Sequence, residues 1–124
     1  MKALVKRESY DGYQMTKLEI TPAELKQRID AGEKLALIDV REPTEFQQAR
    51  MEGAELIPMR TVPAHLQKIE GYSDEGDVVV ICHHGVRSLQ VADWLRQNGV
   101  PNAQSMTGGI DRWSIEIDPG VPRY

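Results

Sequence analysis

The chain has 124 residues, 40% of them apolar and 27% charged, which is enough for one hydrophobic core and too little for two. A formal net charge of -4 with no compensating basic stripe argues against a nucleic-acid or membrane partner. Lys2, Lys6 and Arg7 precede no apolar stretch, no run reaches the length of a bilayer span, and a cytoplasmic protein is expected.

Residues 1–16 are polar, carry Tyr10, Gly12 and Tyr13, and read as an arm preceding a domain over 17–117. Leu18 and Ile20 alternate with charged neighbours, as in a short strand. Thr21-Pro22-Ala23-Glu24 has the form of a helix start: Thr21 as N-cap, Pro22 in the first position and Glu24 closing a capping box. Leu25 and Ile29 would share the inward face, and Gly32 would end the helix. Leu35 to Ile38 is an apolar run ending in Asp39-Val40-Arg41, the pattern of a buried parallel strand meeting charge at its end. Pro43 opens a short helix through Phe46, Ala54 to Ile57 is a short strand, and Pro63 opens a helix with Leu66 and Ile69 inward. Residues 71–76 read as a polar connection.

Asp77 to Ile81 is the clearest strand. The loop Cys82-His83-His84-Gly85-Val86-Arg87 follows it, and then a helix from Ser88 to Asn98 with Leu89, Ala92 and Leu95 on one face. Ala103 to Met106 is a last strand, followed by Thr107-Gly108-Gly109 and at most a turn or two of helix from Ile110 to Trp113. The tail over 118–124 holds Pro119, Gly120 and Pro122 and reads as irregular. Alternating strands and helices, with apolar runs rather than period-two patterning, predict an α/β fold with a parallel sheet of four or five strands and helices on both faces. Sites in such folds gather beyond the carboxyl ends of the strands, where Asp39, Arg41 and Cys82 stand.

A single cysteine rules out an internal disulfide and a multi-thiolate metal site. Adjacent His83 and His84 diverge in a loop, and only His65 is left to help them, so neither a metal nor a cofactor is expected. Cys82 is either core filler or a reactive thiol. Its setting favours the second. A thiol before a helix N-terminus faces unpaired N–H groups and the positive end of the helix dipole. Gly85 permits the loop amides to curl into an anion nest. Both effects favour the thiolate, the nucleophilic form. The amides of His83, His84, Gly85, Val86, Arg87 and Ser88 form the expected cradle. Arg87 adds positive charge, Ser88 a cap or a hydroxyl donor, and His83 and His84 donors at the rim.

With the loop in place, the chain resembles the rhodanese-like sulfurtransferase domains over about Ile20 to Trp113. The resemblance rests on Leu37-Ile38-Asp39-Val40-Arg41-Glu42-Pro43 with Glu45-Phe46, Gly53-Ala54 with Ile57-Pro58, the cysteine loop, and Gly108-Gly109-Ile110 with Trp113, in that order. The ending Glu116 to Tyr124 is similar to rhodanese domains fused behind adenylating enzymes that activate sulfur carriers. The resemblance implies a five-stranded parallel sheet and a double displacement. Cys82 takes a sulfur from thiosulfate or a similar small donor as a persulfide, and a thiol, cyanide or a protein acceptor removes it. A protein sulfur donor, such as a cysteine desulfurase, is also implied.

The resemblance makes Cys82 the nucleophile and Arg87 the loop arginine. It makes Asp39 and Arg41 scaffold, with Arg41 paired to a carboxylate such as Glu45. Gly108 and Gly109 become the tight turn behind the pocket, with Trp113 covering the core. Arg50 stands where many members carry histidine, and would hold a substrate anion or face water. Two other classes remain. A cysteine phosphatase of related fold has one more loop residue than the four between Cys82 and Arg87, and no aspartate acid is evident here. A non-catalytic partner-binding module would use Tyr10, Tyr13 and Tyr124 at an interface, though such modules commonly lose the cysteine.

Overall fold

The computed structural model describes residues 17–124, so the expected arm, with Tyr10 and Tyr13, lies outside the described residues. Five strands, β1 (Glu19–Ile20), β2 (Ala36–Asp39), β3 (Glu55–Leu56), β4 (Val78–Ile81) and β5 (Ala103–Met106), form one sheet in the order β1-β5-β4-β2-β3. Every pairing is parallel. Helices α1 (Pro22–Asp30), α2 (Pro43–Gln48), α3 (Leu66–Ser73), α4 (Val86–Gln97) and α5 (Gly109–Glu116) and a 3-10 segment over Met59–His65 supply the crossovers.

The central strand β4 reads Val-Val-Val-Ile with every residue buried. Its side chains alternate between two cores, as strand geometry requires. Val78, Val80 and Cys82 join Ile38, Val40 and Ala103 under Ile69 of α3 and Val91, Ala92 and Leu95 of α4. Val79 and Ile81 join Ile20 and Met106 under Leu25 of α1 and Ile110 and Trp113 of α5. A sheet covered on both faces is why its strands read as continuous apolar runs.

Local signals account for several boundaries. Thr21 Oγ1 accepts from Glu24 N at 3.1 Å while Glu24 Oε1 accepts from Thr21 N at 2.9 Å, the expected capping box. Four details differ from the sequence reading. Ile29 is 37% exposed, because α1 rests on the sheet through Pro22 and Leu25. Pro63 lies within the 3-10 segment, and α3 begins after it and runs to Ser73. Helix α4 starts at Val86 and buries Ser88, Val91, Ala92 and Leu95 rather than Leu89. Helix α5 extends to Glu116 because Ser114, polar in sequence, is buried and donates to Val121 O at 2.7 Å.

Candidate active site

Strand β4 ends at the centre of the sheet and delivers Cys82 directly beneath the start of α4. The cysteine is 1% exposed. Its sulfur sits inside the turn that follows it. Gly85 N–H donates to Sγ at 3.1 Å, Ser88 N–H donates at 3.2 Å, and the thiol donates to Ser88 Oγ at 3.3 Å. Ser88 Oγ shares a hydrogen bond of 2.7 Å with Ser105 Oγ on β5, so the hydroxyl is held from both sides. Two amides of the expected cradle thus reach the sulfur, and the hydroxyl can turn to donate as well. Donors converging on one atom suit a sulfur that carries negative charge.

The turn keeps this shape because the N-terminus of α5 grips it. Ile110 N–H donates to Cys82 O at 2.8 Å and Asp111 N–H to His83 O at 3.1 Å. With its carbonyls drawn outward, the loop turns amides inward. Gly85 takes φ +98°, and Gly109 takes φ +63° with its Cα pressed on the backbone of Cys82 and His83. A Cβ on Gly109 would overlap both carbonyl groups. Alanine there is expected to cost roughly 3 kcal/mol, from left-handed backbone strain and the forced loop shift. Denaturant titration measures this, and a cost under about 1 kcal/mol would mean the grip is slack. Gly108 also has positive φ, and a Cβ there would press on the Cβ and Cδ of Arg112. Gly108 and Gly109 thus form a positive-φ turn behind the cysteine loop, and Gly109 is the one whose backbone lies against that loop.

Arg87 does not point freely into the site. Its guanidinium grips Glu45 with two bonds, Nη1 to Oε1 at 2.8 Å and Nη2 to Oε2 at 3.1 Å. This corrects the expected pairing of Arg41 with Glu45. Arg41 pairs with Asp39 instead, both fully buried, through Nε at 2.9 Å and Nη2 at 2.7 Å. It also donates to Ala49 O at 2.5 Å. Asp39 Oδ1 accepts Arg41 N–H at 3.1 Å, so the pair also ties down the backbone just after β2.

Glu45 and Arg41 meet through a residue read as interface material. The Tyr124 hydroxyl donates to Glu45 Oε2 at 2.9 Å and accepts from Arg41 Nη1 at 2.6 Å. Its ring stacks on His83 with centroids 3.9 Å apart and planes 9° apart. His83 in turn packs on His84, centroids 3.9 Å apart. The sequence marks Tyr124 only as an interface aromatic and as part of a closing segment similar to fused domains. The 79 residues separating it from Glu45 hide the contact.

The hydrogen bonds from Arg87 hold the Glu45 carboxyl down to about 2, against the opposing effect of burial. Burial, helped by Glu45 and opposed by Arg41, pushes the Tyr124 hydroxyl up to about 12. Burial, then the neighbouring His84, lowers the His83 imidazole. Near neutral pH the cluster is therefore an ionised Glu45, a protonated Tyr124 and a neutral His83. The Glu45 contribution is lost as pH falls from the ordinary carboxylate range through about 2. The Tyr124 contribution is lost as pH rises from about 10 through about 12.

Arg50 stands apart from this cluster. It is exposed, lies 5.0 Å from the Phe46 ring centroid, and lines a hollow with Phe46, Met51, Glu52, Gly53 and Ala54. No group of three or more candidate metal-ligating residues occurs among the described residues.

The family described as "Rhodanese-like domain" matches residues 21–116. The chain belongs to this family. Among relatives of the rhodanese-like chain, "Putative sulfurtransferase YtwF" of Bacillus subtilis is 36% identical over 101 residues, covering 82% of this chain and 94% of that protein. "Probable adenylyltransferase/sulfurtransferase MoeZ" of Mycobacterium tuberculosis is 34% identical over 105 residues, 85% of this chain. The chain spans only 26% of the length of that relative and 30% of that of a chloroplastic rhodanese-like relative from Arabidopsis thaliana. The crystal structure of SSP1007 from Staphylococcus saprophyticus superposes with a TM-score of 0.71 at 34% identity, covering 86% of this chain and all of that one. The rhodanese-like fold thus agrees with the sheet order and crossovers described above. Among the described residues, no helix is long and apolar enough to cross a membrane.

Proposed function

We propose that this chain is a sulfurtransferase of the thiosulfate type, working through a persulfide on Cys82. In the first half-reaction the Cys82 thiolate attacks the outer sulfur of thiosulfate or a similar small donor. The donor's S–S bond breaks, sulfite leaves with the bonding electrons, and a new S–S bond joins the sulfur to Cys82. In the second, a thiol, cyanide or a protein acceptor attacks that outer sulfur, and Cys82 leaves as thiolate. No cofactor enters either step, and a working free thiol fits a reducing cytoplasm.

One observation carries the reading: the sulfur of Cys82 lies where Gly85 N, Ser88 N and Ser88 Oγ converge, 3.1 to 3.3 Å away. The two amides would stabilise the negative charge that builds on this sulfur as it leaves in the second step. The loop amides of His84, Val86 and Arg87 are proposed to hold the outer sulfur, with His83 and His84 at the rim. The names of the Bacillus and Mycobacterium relatives both contain the word sulfurtransferase, which supports sulfur transfer as the reaction class. A phosphatase would use the loop guanidinium on a phosphoryl group, whereas here Arg87 is committed to Glu45.

Intact mass spectrometry after incubation with thiosulfate tests this. The protein should gain about 32 Da, the mass of one sulfur, and lose it again to cyanide or dithiothreitol. Failure to gain it from thiosulfate, mercaptopyruvate or a desulfurase would remove the assignment.

A further inference from the structure

Four side chains link the closing segment to the cysteine loop: Arg41, Tyr124, Glu45 and Arg87. The two guanidiniums flank one carboxylate. Arg87 binds Glu45 directly at 2.8 and 3.1 Å. Arg41 reaches it only through the Tyr124 hydroxyl, at 2.6 Å on one side and 2.9 Å on the other. That hydroxyl is firmly seated. The Tyr124 ring stacks on His83, Val121 is buried in the core of α1 and α5, and Arg123 pairs with Asp111 at 2.8 Å.

Removing the oxygen would change which cation holds the carboxylate. Arg41 Nη1 would lose its short bond in a buried setting, keeping only a 3.4 Å approach to Glu45 O. An unpaired donor there is costly. Asp39 is already taken up by Nε and Nη2, and the acceptor facing Nη1 across the lost hydroxyl is Glu45 Oε2, since both groups bonded the same oxygen. The carboxylate would turn towards Arg41 and open its fork with Arg87. From this geometry we infer that Tyr124 is a positioning residue of the site. Its hydroxyl keeps Glu45 on Arg87, and so sets how much positive charge the mouth of the Cys82 loop presents to an incoming anion. Read with the proposed sulfur transfer, on which this consequence for donors rests, Tyr124 restrains the preference for doubly charged donors.

The test compares alkylation of Cys82 by iodoacetate and iodoacetamide. The two reagents share one chemistry and differ by one charge, so the ratio of their rates reports the potential at the sulfur without any sulfur transfer. The ratio should rise about threefold in Tyr124→Phe, which keeps the stacked ring, and by more in Glu45→Gln, which removes the carboxylate. In the double variant Tyr124→Phe should add nothing, because no carboxylate is left to move. A merely structural role would lower the melting temperature and leave the ratio alone.

An unchanged or falling ratio in Tyr124→Phe, or an equal effect of that change in the Glu45→Gln background, would overturn the inference. In turnover, Tyr124→Phe should lower KM for thiosulfate, a dianion, more than for methanethiosulfonate, a monoanion, with kcat little changed. Equal effects on the two donors would also count against it. Absence of any sulfur transfer in the wild type would defeat the proposed function and leave the alkylation result standing on its own.

Discussion

Serine in place of Cys82 is expected to reduce sulfur uptake from thiosulfate by roughly 10⁴-fold or more, the scale of losing a covalent nucleophile. The about 32 Da adduct should vanish with it. The fold should survive. A serine oxygen fits the space of the sulfur and can accept the same Gly85 and Ser88 amides. The change in unfolding free energy is therefore expected to stay within about 1 kcal/mol. The two measurements belong together, because lost activity in a protein that no longer folds would say nothing about the thiol. Residual adduct in the folded variant would place the sulfur on another residue and end the Cys82 mechanism.

The second large effect concerns stability. Asp39→Ala would leave the Arg41 guanidinium fully buried without its carboxylate. Breaking a buried pair from one side costs about 3–5 kcal/mol, since the remaining charge has lost both partner and solvent. The melting temperature should fall by about 10 °C or more. Removing both charges, as Asp39→Ala with Arg41→Met, is expected to cost less than Asp39→Ala alone. If the double variant is the less stable of the two, the pair supplies net stabilisation beyond mutual neutralisation. Calorimetry on the three proteins decides it.

Much of this molecule is legible from local pattern. The Thr21 capping box, the apolar run of β4 and the glycine in the cysteine loop each depend on neighbours within a few residues, and each appears as the chemistry of those residues requires. What local pattern cannot supply is partner choice among like charges. Glu45 lies four positions from Arg41, which makes Arg41 the obvious mate, yet 42 residues away Arg87 takes it. The reason is geometric. Arg41 turns back onto Asp39, two positions earlier on the same strand end, and only its Nη1 is left for Tyr124.

Ser114 makes the same point in another way. A serine suggests a surface, and it is the carbonyl of Val121, folded back over α5, that permits its burial. Tyr124 combines both difficulties. It sits after two prolines in an irregular stretch, and its value lies in three partners that only the folded chain assembles. Arg50 is the opposite case. The sequence marks it as a departure from the family pattern, and the structure sets it on the Phe46 ring, facing solvent.

The place of Cys82 at the end of the innermost strand also bears on time. Strand β4 is hydrogen-bonded on both sides and wholly buried, and segments of this kind open only with the whole molecule. The rear of the sulfur is thus shielded by the central, fully buried strand of the sheet. An oxidant or a stray thiol gains access through the mouth of the loop or waits for global unfolding. Under the proposed transfer, a sulfur on Cys82 would be open to attack only through the mouth of the loop for as long as the fold holds, and amide hydrogen exchange at Val79 and Val80 would measure how long that is.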